Sequence, residues 1–537
     1  MQFTINPRLE VKSNLILLIQ LFLVIVLSGV LKAQIPELGL LVRFDDPGPM
    51  TMVGASAQRL IVPALNIYLL EFNDEAGLDK AYQKLSFTRG VSAVERNRMV
   101  EFRTDPDDDL YESDQQNLRR AGFDRAWDLT PGGKTTEGED IVVAILDAGF
   151  DVSHEDLAPN LWRNLGEVAN DGIDNDNNGY VDDIHGWDMI GDDNSLPNDT
   201  HGTSVIGILG AKGNNGRGVS GTNWDLKMML FSINTIADIV EAYGYVLAQR
   251  KLYNSTNGSQ GAFIVATNAS FGIENSRCEQ FPVWSSLYEE LGQEGVLTAA
   301  STANRSLDVN TFGDMPADCD TEFLIGVANL DTNDRLWMNS GYSREKVDLA
   351  APGQESYTTM PGGRYGTFGS TSAAAPYVTG AIALLYATPC PVLQDLIRNN
   401  PADAARLIKA TILSSTTPNP SLEFRTSSGG SLDVAEAQRL LVGSCDLGDL
   451  EEFSITGIFP NPAATTAFVQ TNALVFSDGA KVELYDAFGR LVRTQLARRL
   501  SGSPVRLAVN VSGLPAGWYS LRVEERERVA LGRIVVY

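Results

Sequence analysis

The sequence predicts a doubly wound α/β fold, a parallel sheet with helices on both faces, over residues 105–447 of the 537-residue chain. Continuous apolar runs alternate with helix-like stretches in this region, which is typical of a buried parallel sheet. Residues 34–104 predict a smaller α/β unit, and short alternating strands separated by turns predict an antiparallel β-sandwich over residues 453–537. We therefore expect three folded parts behind an N-terminal leader.

The leader, residues 1–33, has the pattern of a secretory signal peptide. Arg8 and Lys12 precede the apolar stretch Leu15–Leu31, and Ala33 offers a small residue at the expected cleavage point. The alternative is a retained anchor, because an apolar stretch of 17 residues is just long enough to span a bilayer. We expect cleavage, and no integral membrane segment after the signal is removed.

The unit over residues 34–104 is predicted from its periodicity. Asn66–Phe72 has the pattern of a strand, Glu75–Leu85 that of a helix, and Val91–Phe102 that of further strand. The polar stretch Asp105–Asp109 interrupts the pattern and marks the boundary with the next part.

Composition excludes one class of partner and suggests a compartment. The net charge of −26 leaves no basic field to displace counterions from phosphates, so nucleic acid is not an expected partner. Four cysteines in an exported chain favour disulfides, with three possible connectivities. Pairing of near neighbours favours Cys278 with Cys319 and Cys390 with Cys445, and free buried thiols are the alternative.

The most informative stretch surrounds Ser372. Small residues there lead into the apolar helical run Ala381–Leu385, which places the hydroxyl at a helix N-terminus. Unpaired N–H groups and the positive end of the helix dipole favour developing negative charge at such a position. Pro376 is expected in the first turn, where no amide hydrogen is needed. The alternative is a buried helix in which Ser370 and Thr371 are only N-caps.

A nucleophilic serine needs a base and a group that orients the base. Of the three histidines in the chain, His201 lies in a small-residue turn that leads into an apolar helix. A continuous apolar strand, residues 141–147, ends on Asp147. Catalytic groups collect at the carboxyl ends of parallel strands, so the chain presents the three residue types in the order Asp, His, Ser.

These motifs resemble those of the subtilisin-like serine peptidases, or subtilases, which have the same triad order. The resemblance implies that Asp147 orients the imidazole, that His201 is the general base and acid, and that Ser372 is the nucleophile. Asn304, at the end of an apolar strand, resembles the asparagine of the family's oxyanion hole. Ser270, Phe271 and Gly272 resemble its substrate-binding strand, which pairs with an extended peptide.

The resemblance predicts a secreted serine endopeptidase that works through an acyl-enzyme. It also implies that residues 34–104 are a removable pro-segment, although a permanent N-terminal domain is an alternative. Four positions depart from the family pattern: Ala148 for Ser or Thr, Ser204 for a second His, Ser370 for Gly, and Ala373 for Met. None removes a proton-transfer group or the oxyanion donor. The competing hypothesis is a catalytically inactive, surface-binding protein with the same fold.

The segment before the histidine motif predicts a calcium site. Between Asn164 and Asp199 there are ten acidic residues and no Lys or Arg. Alternating oxygen donors with a glycine at the sixth position match the start of a calcium loop, and some subtilases carry similar acidic insertions. His185 replaces the usual twelfth-position Glu, so an aspartate would close the shell, and a solvated acidic loop is the alternative. The predicted Ca²⁺ ligands are Asp174, Asp176, Asn178, Tyr180, Asp182 and Asp183.

The C-terminal part carries a second resemblance. The segments Ile458–Pro462, Tyr485–Val492 and Leu514–Tyr519 look like the C-terminal sorting domain of the type nine secretion system of Bacteroidetes. This implies the secretion machinery as a partner, export across the outer membrane, and a final location in the medium or on the cell surface. A carbohydrate- or protein-binding sandwich module is the alternative.

Overall fold

The computed structural model describes residues 38–45, 54–97, 104–446, 455–459, 461–471, 481–486, 489–496, 498–500, 506–525 and 528–537. The predicted signal peptide, residues 1–33, lies outside the described residues. The chain divides into two compact units, Met1–Phe102 and Arg103–Tyr537. Among the described residues, no single helix combines the length and the apolarity needed to span a membrane.

The described part of the first unit is a four-stranded antiparallel sheet with one α-helix. Its elements are β1 (Gly39–Phe44), β2 (Ala57–Val62), a 3₁₀ turn (Pro63–Leu65), β3 (Ile67–Glu71), α1 (Glu75–Ser86) and β4 (Val91–Arg96). The strand order is β2-β3-β1-β4. Helix α1 begins where the Asp74 carboxylate accepts a hydrogen bond from the Gly77 amide at 2.7 Å, a common N-cap. The predicted strand, helix and strand are therefore present in this order, although the last is seen only over Val91–Arg96 and the part of its predicted range from residue 98 to residue 102 lies outside the described residues.

The second unit contains a nine-stranded sheet. The strands from residue 142 to residue 431 are β5 (Val142–Asp147), β6 (Gly186–Asp188), β7 (Lys227–Ser232), β8 (Ile264–Ala269), β9 (Ile273–Glu274), β10 (Leu297–Ser301), β11 (Asp314–Met315), β12 (Leu324–Asn329), β13 (Leu349–Ala351), β14 (Ser356–Met360), β15 (Arg364–Phe368), β16 (Thr417–Pro418) and β17 (Gly430–Ser431). The sheet order is β16-β17-β13-β12-β10-β8-β5-β7-β6, and only the β16–β17 pairing is antiparallel.

Helices cover both faces of this sheet. They are α2 (Tyr111–Asp114), α3 (Gln116–Arg120), α4 (Phe123–Ala126), α5 (Thr200–Gly210), α6 (Ile236–Ser255), α7 (Pro282–Gln293), α8 (Val309–Phe312), α9 (Thr371–Tyr386), α10 (Pro391–Asn399), α11 (Pro401–Ser414) and α12 (Val434–Asp446), with 3₁₀ turns at Ala158–Asn160 and Cys278–Gln280. Val143 and Ile145 of β5 pack into the core that contains α5 and α9, whereas Ala144 and Leu146 pack into the core that contains α6 and α7. The doubly wound prediction is confirmed.

The strand order reverses at β5. From β5 the chain reaches β6 and β7 on one side, and β8, β10, β12 and β13 on the other. Ligands of open α/β sheets bind beyond the carboxyl ends of the strands at such a switch point. Asp147 is the last residue of β5 and lies at this edge.

Helix α9 begins earlier than the sequence predicted. It begins at Thr371, so Pro376 is its sixth residue and lies inside the helix rather than in the first turn. A proline has no N–H to bond the carbonyl four residues earlier, which here belongs to Ser372. The Ser270 hydroxyl donates to that carbonyl at 2.9 Å instead. The interior proline thus ties the start of α9 to the segment that follows β8.

Both predicted disulfides are present, Cys278–Cys319 and Cys390–Cys445. The first joins the 3₁₀ turn that begins at Cys278 to the segment after β11. The second joins the N-cap residue of α10 to α12. The pairing of near neighbours expected from the sequence is confirmed.

The C-terminal part of the second unit consists of antiparallel strands. They are β18 (Ile455–Phe459), β19 (Thr466–Thr471), β20 (Lys481–Tyr485), β21 (Leu491–Leu496), β22 (Arg498–Leu500), β23 (Arg506–Asn510), β24 (Gly517–Glu525) and β25 (Arg528–Val536). They form two sheets, β18-β19-β23-β22 and β21-β20-β24-β25. Val469 and Val509 of one sheet share an apolar core with Leu484 and Leu521 of the other, which is the predicted sandwich.

Candidate active site

Asp147 and His201 are joined by a hydrogen bond. Asp147 ends the buried strand β5, and His201 is the second residue of α5. The Nδ1 atom of His201 lies 2.7 Å from Asp147 Oδ1. A carboxylate can only accept, so Nδ1 carries the proton and Nε2 of the neutral ring is left as an acceptor. Asp147 is only 4% exposed, so the pair is shielded from water on the carboxylate side.

The pKa of His201 is raised above its usual value of 6.5. Burial lowers this pKa, but the hydrogen bond to Asp147 and the negative charges of Asp147 and Asp199 outweigh that effect. Asp199 is also the N-cap of α5, where its carboxylate accepts from the His201 amide at 2.6 Å. The Phe368 ring packs nearly perpendicular to the imidazole, with the ring centroids 5.4 Å apart.

Ser372 is the second residue of α9 and is 4% exposed. Its hydroxyl donates to the Ser270 carbonyl at 3.2 Å. Among the described residues it makes no hydrogen bond to His201, so the expected contact between nucleophile and base is not formed in this structure. The weak bond to Ser270 takes its place.

Asn304 follows the end of β10 by three residues and lies next to the start of α9. Its Oδ1 accepts from the amide of Thr371 at 3.0 Å and from the Thr371 hydroxyl at 2.8 Å. A backbone N–H can only donate, so the side-chain atom that faces Thr371 must be the oxygen. The Nδ2 group of Asn304 is therefore turned away from Thr371 and is available as a donor. The Thr371 hydroxyl also lies 2.5 Å from the Thr302 carbonyl oxygen, so its single proton is shared between two acceptors.

A cleft of about 360 Å³ lies between the Asp147–His201 pair and the predicted substrate-binding segment, and neither Ser372 nor Asn304 is among the residues that line it. Its lining includes Asp147, His201 and all three of Ser270, Phe271 and Gly272. Phe271 stacks on Trp284 with a centroid distance of 6.1 Å, which forms an apolar wall. An extended peptide that follows the 270–272 segment would pass the imidazole.

The other two histidines make structural contacts. His154 Nε2 donates to the Arg364 carbonyl at 3.1 Å, and its Nδ1 accepts from the Asp156 amide at 3.2 Å. His185 Nδ1 donates to the Trp162 carbonyl at 2.7 Å.

Ser370 has a backbone conformation that is typical of glycine, with φ 75° and ψ −179°. The strain of a side chain in this region is about 1–3 kcal/mol. Replacement by glycine relieves it but adds about 0.5–1 kcal/mol of unfolded-state entropy. We therefore expect Ser370→Gly to increase the free energy of unfolding by about 1 kcal/mol, measured by thermal or denaturant unfolding. Ser370→Ala is the control and should not stabilise, because alanine is strained in the same way. A free energy of unfolding that does not change in Ser370→Gly would show that the Ser370 backbone is not strained.

The acidic segment brings together a different set of carboxylates from the predicted one. Ligand oxygens of Glu167, Asp176 and Asp183 lie within 4.8 Å of one another. Asp183 is fully buried, and it accepts from Asn164 Nδ2 and from Asn178 Nδ2, each at 2.8 Å.

The remaining predicted ligands are engaged in turns. The Asp174 carboxylate accepts from the amides of Asn178 and Gly179. The Asp182 carboxylate accepts from the amides of residues 171 and 172. Asn178 turns its Nδ2 toward Asp183, and its oxygen accepts from the Tyr180 amide at 2.8 Å. Glu167 was not among the predicted ligands, although its acidic character and its place at the start of the segment were visible in the sequence.

Two protein-family models match the second unit, one over the region of the nine-stranded sheet and one over the C-terminal sandwich. Residues 138–429 match the model of the subtilase family, and residues 457–537 match that of the secretion system C-terminal sorting domain. The second match indicates export by the type nine secretion system, to the cell surface or the medium.

Several named proteases are similar to this chain. Subtilisin-like protease 1 of Plasmodium falciparum is 29% identical over 56% of this chain and 44% of its own length. The thermophilic serine proteinase of Bacillus sp. (strain AK1) is 28% identical, over 55% of this chain and 65% of its own length. Thermitase of Thermoactinomyces vulgaris is 27% identical, over 52% of this chain and 85% of its own length.

The chain spans about half of the length of the Plasmodium relatives, from 44% to 52%. A solved structure of proteases from Pseudoalteromonas arctica covers 63% of this chain at 22% identity, with a TM-score of 0.45. The family match covers 292 of 537 residues, counted from 138 to 429. The chain belongs to the subtilase family.

Proposed function

We propose that this chain is a secreted serine endopeptidase in which Ser372, His201 and Asp147 form the triad and Asn304 binds the oxyanion. The observation that carries the proposal is the 2.7 Å hydrogen bond between Asp147 and His201 in a cleft shared with the 270–272 segment. It fixes the imidazole tautomer that a general base needs.

In this mechanism a substrate amide donates to the Ser270 carbonyl and replaces the Ser372 hydroxyl there. The hydroxyl is then free to rotate toward His201 Nε2, which takes its proton as Ser372 attacks the scissile carbonyl. Asp147 stabilises the imidazolium that forms. Protonated His201 gives its proton to the leaving amine, and a water activated by His201 then hydrolyses the acyl-enzyme.

The oxyanion is stabilised by the Asn304 Nδ2 group and by the N-terminus of α9. We expect Asn304→Leu to lower kcat by about 10²–10³-fold with little change in KM, because the donor acts mainly on the transition state. Steady-state kinetics with a fluorogenic peptide measure this effect. The exposed Asn333 supplies a control, Asn333→Leu, that should leave kcat unchanged. A fall in KM as large as the fall in kcat would leave kcat/KM unchanged. That result would contradict an oxyanion role for Asn304.

Hydrolysis of denatured casein by the mature protein tests the proposed function. An endopeptidase produces internal fragments that mass spectrometry identifies, and phenylmethylsulfonyl fluoride suppresses them. A protein that binds casein without cutting it would favour the inactive, surface-binding alternative.

The division of the chain follows from the same proposal. Residues 1–33 would be removed as a signal peptide and residues 34–104 as a pro-segment. Residues 105–447 would form the mature catalytic domain, and residues 453–537 the sorting domain that is removed on export. N- and C-terminal sequencing of the secreted protein tests these boundaries.

We also propose a structural Ca²⁺ held by Glu167, Asp176 and Asp183. These ligands are all oxygen donors, which a hard cation prefers, and no Lys or Arg occurs between residues 164 and 199 to balance their charge. The ion would supply charge neutralisation to the segment before α5 and would take no part in the proton transfers.

Removal of Ca²⁺ is expected to lower the melting temperature. At a hundredfold excess over Kd a bound ion stabilises by about 2.7 kcal/mol. Thermal unfolding with Ca²⁺ and with a chelator measures the difference, which should vanish in Glu167→Gln. Asp192→Asn changes an exposed acid of the same segment and should retain the difference. A melting temperature that does not respond to chelation would contradict the site.

A further inference from the structure

The carboxylate of Asp314 is buried between two segments of the proposed active site. It lies in β11, which pairs with β9, and it is 2% exposed. Its Oδ2 accepts from the amide of Ala303, the residue before Asn304, at 2.6 Å. Its Oδ1 lies 3.6 Å from the position that a Cβ atom on Gly272 would occupy. The carboxylate therefore faces the oxyanion segment on one side and the substrate-binding segment on the other.

The neighbouring basic residues are already paired. Arg305 bonds Glu274 at 2.6 Å, and Arg277 bonds Asp318 at 3.0 Å. Within the described part of the chain no Lys or Arg forms an ion pair with Asp314.

Burial raises the pKa of Asp314 to about 7. The Ala303 amide and Arg305 lower the pKa, while the charges of Glu274 and Asp318 raise it further. A buried acid without a cationic partner is stabilised in its charged form by any cation that enters beside it.

The mechanism places one substrate side chain in this region. The scissile carbonyl lies between Ser372 and Asn304, so the residue that carries it, P1, lies between the 270–272 segment and the 303–304 segment. Its side chain would enter between these segments, on the side where Asp314 accepts from the Ala303 amide and lies beside Gly272. A Cβ on Gly272 would lie only 2.7 Å from the Met315 carbonyl oxygen, so glycine lets the 272 backbone pack closely beside β11 and Asp314.

We propose that Asp314 is a specificity-determining residue that selects substrates with Arg or Lys on the acyl side of the cleaved bond. The inference rests on the proposed endopeptidase function. A guanidinium or ammonium group that reaches Oδ1 would form a charge-assisted hydrogen bond and neutralise the carboxylate. An aliphatic P1 side chain would leave the charge buried and unpaired.

The substitution Asp314→Asn separates this role from a purely structural one. Its amide oxygen still accepts the Ala303 N–H, but the charge is gone. At mildly alkaline pH, above the pKa of Asp314, the wild-type mature protein should cleave a P1-Arg peptide in preference to the matched P1-Leu peptide. Asp314→Asn should lower kcat/KM for the P1-Arg peptide by about 10- to 100-fold and leave that for P1-Leu unchanged.

Asp318→Asn is the matched control. Asp318 is 3% exposed and lies on the same segment, but its carboxylate is already paired with Arg277. The ratio of P1-Arg to P1-Leu cleavage should not change in this variant. Equal losses of kcat/KM for both peptides in Asp314→Asn would show that Asp314 only anchors the Ala303 backbone, and this would overturn the proposal. A wild-type protein with no preference for the P1-Arg peptide would also overturn it.

Binding of benzamidine, a small amidinium cation, provides a readout that does not depend on hydrolysis. Calorimetry should detect binding to the wild-type mature protein and a 10- to 100-fold weaker affinity, about the same factor, in Asp314→Asn. If no peptide is hydrolysed, the proposed endopeptidase function fails, but benzamidine binding that depends on Asp314 still supports a cation-selective pocket. Absence of benzamidine binding to the wild-type protein overturns the proposed cation-selective pocket.

Discussion

Ser372→Ala is expected to lower kcat by about 10⁶-fold, which is the scale for loss of a triad serine. Without the hydroxyl no acyl-enzyme forms, and only binding and oxyanion stabilisation remain. His201→Ala should cause a loss of similar size, and the double variant should lose little more, because the two residues act as a unit. Hydrolysis of a fluorogenic peptide by the mature variants measures these losses.

Ser286→Ala is the control for this prediction. Ser286 is exposed on α7, and in the described part of the chain its hydroxyl donates to the nearby Val283 carbonyl, so its loss should leave kcat unchanged. Substantial hydrolysis by purified Ser372→Ala would assign the nucleophile to another residue.

Asp147→Asn is expected to lower kcat by about 10⁴-fold. The asparagine amide can donate to Nδ1, which favours the wrong tautomer and removes the charge that stabilises the imidazolium. The pH profile should change as well. His201 is active as a base only when neutral, and its raised pKa means that the acidic limb of kcat/KM in the wild-type protein lies above pH 6.5. Loss of the Asp147 charge lowers the pKa of His201, so the limb should move to lower pH.

The pH–rate profiles of both proteins provide the measurement. Asp140→Asn, in which an exposed carboxylate paired with Lys134 is lost, should keep the wild-type limb. An acidic limb that stays in place in Asp147→Asn would show that the titrating group is not His201.

The main features of the fold could be predicted from local sequence. The apolar run that becomes β5 is buried on both faces, so its composition alone indicated a central strand that ends at Asp147. The prediction that Pro376 lies in the first turn of the helix was wrong, because small residues do not show where a helix begins. The helix extends back to Thr371, and the Ser270 hydroxyl compensates for the missing proline N–H.

The contacts that complete the candidate site were not visible in the sequence. Thr371 and Asn304 are 67 residues apart, and only the folded chain shows that the first orients the amide of the second. Glu167 joins Asp176 and Asp183 through a turn whose geometry composition does not determine. Asp314 follows a glycine in a polar stretch, and its burial results from the pairing of β11 with β9.

The departures from the family pattern have different structural consequences. The Ser204 hydroxyl donates to the Thr200 carbonyl at 2.8 Å and is satisfied within α5. Ala148 has no hydroxyl to offer, and Asp147 Oδ2 is buried without a hydrogen-bond partner among the described residues. Ser370 retains the backbone conformation that glycine would adopt without strain.

Covalent labelling of the mature protein with a serine-directed phosphonate, followed by mass mapping, tests whether Ser372 is an activated nucleophile. We expect one adduct on Ser372 that is absent in His201→Ala, because the hydroxyl reacts only when the imidazole takes its proton. Folded mature protein that gives no adduct, or an adduct that persists without His201, would contradict an activated nucleophile and favour a surface-binding protein with the same fold.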